Sequence, residues 1–454
     1  MTKIYCARWV LPVTSEPIEG GAVVVEGTRI AGVGARALMV ERFPSAQVED
    51  LGEAVITPGF VNCHSHLELT AMRGFLEPEE GDFFAWLRKV TVSRGERMSA
   101  EDIYASAAWG AVEAARAGVT TLGDASDAGA QVMRALNDVG LRGTVFSEVF
   151  GPDERLAREQ FDKARAKIDS LRGGETSLVK LGISPHSPYA VASPLLEMLA
   201  RFATEERLPL MIHAAESESE QLLMLEGRGP FAESYARRGF TFDSPGVSTI
   251  RHLDRTGILG TRPLLAHCVR VGESDIKLMK ERGASVAHCP KSNAKLGHGR
   301  APLAALLDAG LGVGLGSDSV ASNNTCDLLE EARFALLGSR AALDTLEGGR
   351  MIEARDALRM MTLNGARALK LEGVAGALAE GTEADFTAIR LDSPHQTPAY
   401  DPASALVFSS SGRDVTLTVV AGRELFRDGR VTTVDEETLR ARVREIARRL
   451  AEAL

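Results

Sequence analysis

Eight short apolar runs, each followed by a longer amphipathic stretch, fill the chain between about Ile56 and Leu371, and they constrain its fold more than any other feature. The runs are VITPGFVNCHSH, GVTTLGD, GTVFSEV, SLVKLGIS, LPLMIHA, RPLLAHC, GASVAHC and LGVGLGSD. Alternation of this kind predicts repeated βα units around a parallel sheet, and eight such units close a (β/α)8 TIM barrel. Histidine or aspartate ends runs one, five, six, seven and eight, and barrel active sites are built at that end. Outside the repeats, KIYCARWVLPV and GGAVVVEGTRIAGVG at the start read as short strands with turn punctuation. So do EADFTAIRLD, ALVFSS and DVTLTVVAGRELFRDGRV near the end. The expected α/β chain is a barrel over residues 57–371 with a small sheet domain from residues 1–56 and 372–435. A surface helix over 436–454 follows, acidic at its start and basic towards its end, as the helix dipole favours.

Composition narrows the partners. A net charge of -10 argues against a nucleic-acid backbone, which needs a basic surface. No run approaches the roughly 18 apolar residues that span a bilayer, and the N-terminus carries no apolar leader, so the expected setting is cytoplasmic. Five widely spaced cysteines without a CxxC pair suggest neither a disulfide framework nor a zinc knuckle. With no GxxxxGK[ST] loop and no dinucleotide fingerprint after a strand, a small-molecule substrate handled without an organic cofactor is expected.

The strand ends supply the chemistry. His64 and His66 lie two apart, so both side chains leave a strand on one side and can grip one ion. His213 and Asp318 stand at later strand ends. Three imidazoles and a carboxylate suit one divalent ion, Zn²⁺ first or Fe²⁺, better than Mg²⁺ or Ca²⁺. Glu216, three residues after His213, is a candidate to take a proton from activated water and return it to the substrate; the plainer reading is a glutamate favouring a helix dipole. His267 is read as steadying the attacking water and the tetrahedral centre rather than as a ligand. Asp318 is read as both ligand and proton acceptor, against the alternative of a helix N-cap. His186 in SPHSPYA is a candidate substrate contact, and His288 and His298 stand at even odds between ligand contact and structure. His252 and His395 read as packing or surface residues.

As a set, TPGFVNCHSH, HAAES, LLAHC, HCPKSNAKLGHGRAP and GSDSVASNNTCDLLEEAR resemble the amidohydrolase superfamily. The likeness is to the branch holding cytosine, guanine and S-adenosylhomocysteine deaminases and triazine hydrolases. It implies His64, His66, His213 and Asp318 as metal ligands, Glu216 as proton shuttle, His267 beside the nucleophilic water, and a small β-sandwich made from both chain ends. Some subgroups bridge two metals through a carboxylated lysine; Lys180 precedes its strand end by several residues, so a single metal ion is expected. HSPYA and SNNT are similar to adenosine-type deaminases, which implies sugar contact by His186 and substrate contacts by Ser319 and Asn323. HSHLELTAMRGF and FFAWLRKV are similar to 6-amino-6-deoxyfutalosine deaminases, which brings in Glu68 as a polar contact and Trp86 as a wall against the base. The expected activity is hydrolytic release of ammonia from an aminopurine nucleoside: 6-amino-6-deoxyfutalosine first, or S-adenosylhomocysteine, methylthioadenosine or adenosine. The rivals are triazine hydrolysis, guanine or cytosine deamination, and a silent ligand-binding barrel. The resemblance also implies a homo-oligomer, dimer or tetramer.

Overall fold

The computed structural model describes residues 2–343 and 350–452. Eight parallel strands make the barrel in two runs of four. Phe60–Ser65, Val119–Ser126, Arg142–Val149 and Val179–Pro185 pair in sequence order, as do Met211–Ala214, Leu264–His267, Ser285–His288 and Gly312–Leu315. Parallel bridges from Ile183 to Leu210 and from Ser65 to Asp318 join the two runs into a ring. The strands are buried almost throughout, as strands covered on both faces must be. Helices shield the outside. Ala100–Arg116, started by a capping box between Ser99 and Asp102, turns Ala107, Ala108, Ala111 and Ala115 inward, and alanine lets it lie close to the strands.

The first apolar run is two strands rather than one. Ala54–Pro58 belongs to the small sheet and Phe60–Ser65 to the barrel, with Gly59 between them. Any Cβ at Gly59 would stand 2.1 Å from the Thr120 side chain, so only glycine lets the chain pass there. The small unit is one nine-stranded sheet that draws Thr2–Val10, Ile18–Glu26, Arg29–Ala35, Gln47–Asp50 and Ala54–Pro58 from the start of the chain. Phe386–Arg390, Val415–Val420, Arg423–Arg427 and Arg430–Val431 come from its end. The sheet rolls on itself: Lys3 and Tyr5 reach Glu424, four strands away in sheet order, at 2.6 and 2.8 Å. Tyr5 and Phe386 meet edge to face inside the roll.

ALVFSS is helical instead of extended. Asp401 accepts from the Ser404 backbone N–H, Pro402 sits at the first helical position, and the turns that follow bury Leu406 and Val407. The last helix runs Glu436–Ala451, and residues 453–454 of its expected span lie outside the described residues. It is more than a surface helix, because Ile446 and Leu450 are buried among Trp86, Val90 and Met72. No helix among the described residues is long and apolar enough to cross a membrane.

Candidate active site

His64 and His66 leave the first barrel strand on its inner side, and the last strand lies beside them only because its glycines carry no side chains. A Cβ at Gly316 would stand 2.9 Å from the His64 Cβ, and the bare backbone instead lets the Asp318 N–H donate to the His64 carbonyl at 2.8 Å. Asp318 and His267 both adopt left-handed backbone at φ 57° and 73°. Strain of that kind in residues other than glycine collects at functional sites.

The ligand atoms of His64, His66 and His213 lie within 4.8 Å of one another, as do those of His64, His267 and Asp318. His66 Nε2 stands 3.2 Å from His213 Nε2, and Asp318 Oδ1 stands 3.5 Å from His64 Nε2 and 3.7 Å from His66 Nε2. His213 spends its Nδ1–H on the His186 carbonyl at 2.7 Å, and His267 spends its own on Asn293 Oδ1 at 2.8 Å. That leaves each Nε2 lone pair facing the centre, the arrangement that orients metal-binding imidazoles. The Nε2 atoms of His64 and His267 are buried with no hydrogen-bond partner among the described residues.

Electrostatics agree with a cation at this point. Burial pushes His64 down to about 4 against the pull of Asp318, and burial with neighbouring imidazoles holds His213 well below its ordinary value. Burial opposes charge on His66 too, but Glu148, Asp318, Asp124 and Glu68 outweigh it and raise that ring. Burial would raise Asp318, yet the surrounding imidazoles, His64 foremost, hold it well below the carboxylate range. Mostly neutral imidazoles beside an ionised carboxylate are a donor set that fits a divalent ion.

Glu216 is buried beside these residues, its Oε1 3.6 Å from His267 Nε2 and 3.4 Å from His298 Nε2. Burial would raise its carboxyl, but His267 and His298 overcome that and hold it at about 2, so it is ionised and ready to receive a proton. The helix dipole role falls instead to Glu218 and Glu220, in the first turn of Glu218–Glu226, which Ser217 caps.

A cavity of about 290 Å³ opens over this centre. His66, His213, His267, Asp318 and Glu216 form its floor, with His186 and Ser319 also on its surface. The helix Phe83–Arg97 supplies an apolar wall through Phe83, Trp86, Leu87 and Val90. Other expected contacts differ. Asn323 does not line the cavity; its amide is committed to the Ser317 carbonyl and to Glu331. Glu68 lines it but is spent, accepting from Ser126 Oγ at 2.7 Å and the Ala128 N–H at 2.9 Å and pairing with Arg94. His298 packs edge-on against Phe83 and touches Glu216, whereas His288 lines a separate cavity with Asn293 and Phe334. Ser319, not Asp318, caps the helix Val320–Asn323. Lys180 points outward on its strand, and His252 is buried packing.

Sequence reasoning passed over several site residues. Asp124 and Glu148 close strands two and three as histidines close others; Asp124 accepts from Ser65 Oγ and the Leu67 N–H, and Glu148 accepts from His186 Nδ1 at 2.6 Å. Their position at strand ends was the available signal. Tyr189, Phe150 and Arg94 also face the cavity.

Comparison with known proteins gives this geometry a family. The model of the amidohydrolase family matches residues 55–425, most of the chain. The chain belongs to the amidohydrolase family. The amidohydrolases are metal-dependent hydrolases, and the donor set above is where such an ion fits. Among relatives, the 5-methylthioadenosine/S-adenosylhomocysteine deaminase of Haloarcula marismortui is 34% identical over 89% of this chain and 88% of its own. The 5'-deoxyadenosine deaminase of Methanothermobacter thermautotrophicus is 33% identical over 92% of each chain. An adenosine deaminase from Xanthomonas campestris with bound zinc superposes with a TM-score of 0.87 at 26% identity, covering 99% of this chain and 98% of its own. A zinc-bound atrazine chlorohydrolase from Arthrobacter aurescens, at TM-score 0.85 and 23% identity over 98% and 99% of the two chains, shares the fold.

Proposed function

We propose that this amidohydrolase is a hydrolytic deaminase of 6-aminopurine nucleosides, with His64, His66, His213 and Asp318 holding one Zn²⁺. The observation that carries the reading is Glu216, an ionised carboxylate set between His267 and His298 on the floor of a cavity sized for a small ring. The metal would supply Lewis acidity that makes water a nucleophile at neutral pH. Glu216 receives the water proton and delivers it to the ring nitrogen beside the amino-bearing carbon. His267, its ring fixed by Asn293, steadies the oxygen that becomes bonded to that carbon. Asp318 takes the remaining hydroxyl proton for the amino group, the C–N bond breaks, and ammonia leaves a ring carbonyl. Trp86 and Phe83 exclude water along one wall. His186 meets the sugar, and Ser319 lines the same cavity as a further polar contact.

Within this class the HSHLEL and FFAWLRKV segments favour 6-amino-6-deoxyfutalosine, whereas the relatives are named for methylthioadenosine, S-adenosylhomocysteine and 5'-deoxyadenosine. Zinc-loaded protein incubated with these four nucleosides, adenosine, guanine and a chlorotriazine tests the reading. Ammonia release from an aminopurine nucleoside, absent in Glu216→Gln, is the expected result. Turnover of guanine or the triazine alone overturns it.

A further inference from the structure

We infer that Ser292 is a positioning residue for Asp318, turning a single carboxylate oxygen towards the imidazoles, and that Glu331 holds the loops carrying the pair in register; this rests on the metal-ligand reading above. The Ser292 hydroxyl donates to Asp318 Oδ2 at 2.5 Å, and the Ser322 hydroxyl stands 3.2 Å from that oxygen and 2.9 Å from Ser292 Oγ. All three side chains are buried. Asp318 Oδ1 accepts from the Ser319 N–H at 2.7 Å and is the oxygen that faces His64 and His66. A carboxylate turns easily about its last bond, because that torsion has no steep staggered wells. Here a turn would break the hydrogen bonds to Oδ2 inside the protein, where a lost bond leaves a buried polar atom unsatisfied. The seryl hydroxyls therefore fix which oxygen is offered to an ion among the imidazoles.

Ser292 and Asp318 belong to different loops. Ser292 lies on Pro290–Lys295 after the seventh barrel strand, and Asp318 and Ser322 lie after the eighth. Their contact needs those loops fixed against each other. Glu331, fully buried on the helix Leu328–Ala341, does this with one carboxylate, accepting from the Asn323 amide at 2.6 Å and from the Lys291 N–H at 3.2 Å. Lys291 and Asn323 are the chain neighbours of Ser292 and Ser322. Among the described residues Glu331 has no hydrogen bond to a proposed ligand, so its influence on the ion runs through the loops it joins.

The test uses the full chain, stripped of metal and reloaded with Zn²⁺ or Co²⁺, as the wild type, Ser292→Ala, Glu331→Gln and the double variant. Zinc affinity is read by competition with a chromophoric chelator, the visible bands of the Co²⁺ protein report the donor arrangement, and melting of the metal-free protein reports the fold. Ser292→Ala should weaken zinc binding about tenfold or more and shift the Co²⁺ bands while the metal-free melting temperature stays at the wild-type value. In Glu331→Gln an amide nitrogen replaces one accepting oxygen, so one loop is released and zinc binding should weaken in the same sense. The double variant should bind zinc no more weakly than Ser292→Ala alone. Zinc affinity within about twofold of the wild type in Ser292→Ala, unchanged Co²⁺ bands, or a fall in metal-free melting that accounts for the loss overturns the inference. Additive losses in the double variant overturn the part assigned to Glu331. If the wild type binds neither ion, the metal-ligand reading fails first, a result distinct from a failure of Ser292 alone.

Discussion

Single side chains in this barrel carry charge states that their surroundings dictate, and two of them make measurable claims. Glu216→Gln keeps size and shape but cannot hold a proton in transit, so kcat should fall by about a hundredfold or more while bound metal, counted by elemental analysis, stays at the wild-type level. Loss of metal together with activity would instead make Glu216 a structural support of the ion. His252 lies far along the chain from the ligand set, buried in the helix Thr249–Arg255, and burial first, then Arg255, lowers it to about 4 from 6.5. The unfolded chain accepts a proton below about 6.5 that the native state refuses, so stability from this residue is complete above that value and is lost as pH falls towards 4. His252→Gln should flatten the melting temperature against pH between those limits. An unchanged slope would show that the native ring protonates freely.

At the scale of elements, the apolar wall of the cavity is backed by a helix from the far end of the chain, which also ties down the neighbouring helix Ala100–Arg116. Asp102 is fully buried, caps Ala100–Arg116, and takes Arg442 and Arg449 of the last helix at 2.7 Å each. Because both arginines are partly exposed, the pairs themselves contribute modestly. Asp102→Ala should cost about 2 kcal/mol through the lost cap and the lost pairs, read as a shift in the urea midpoint. The barrel itself was legible in the sequence, since its strands are short, buried on both faces and end in ligating residue types. Where reading by strand and helix pattern failed, a local signal was outweighed or missed. ALVFSS looks extended by composition, yet Asp401 and Pro402 start a helix. Asn323 stands near the site in sequence, but its amide is consumed by Ser317 and Glu331, which only tertiary structure brings together; Glu68 does line the cavity, with its carboxylate already paired to Arg94 and Ser126. Glu148 escaped notice because its partner His186 is 38 residues away, just past the end of the next strand.

Taken whole, the barrel and the small sheet are joined through a shared core, in which Val415, Val420 and Leu425 of the sheet pack with Ala114, Ala115 and Leu136, and through a buried ion pair. Asp385, just before the interior strand Phe386–Arg390 of the small sheet, pairs with Arg142 of the third barrel strand at 2.6 Å, and its other oxygen accepts from the Ala421 N–H at 2.7 Å. Both partners of the ion pair are buried, so Asp385→Ala would leave Arg142 with only the longer contact to Glu383 at 3.6 Å and should cost about 3 kcal/mol. Denaturation followed by fluorescence and by circular dichroism should give coincident curves in the wild type, and their separation in the variant would reveal that this pair helps couple the sheet to the barrel. The same junction bears on how this catalyst can change. The chain passes from the rolled sheet through Gly59 straight into His64 and His66, so the first two proposed metal ligands are measured off from the outer sheet like marks on a ruler. New loops can be traded at the barrel mouth at little risk, but inserting or deleting one residue between Pro58 and His64 would turn both imidazoles out of the barrel, and the lineage that tried it would lose two of the four groups proposed to hold the ion before it gained a substrate.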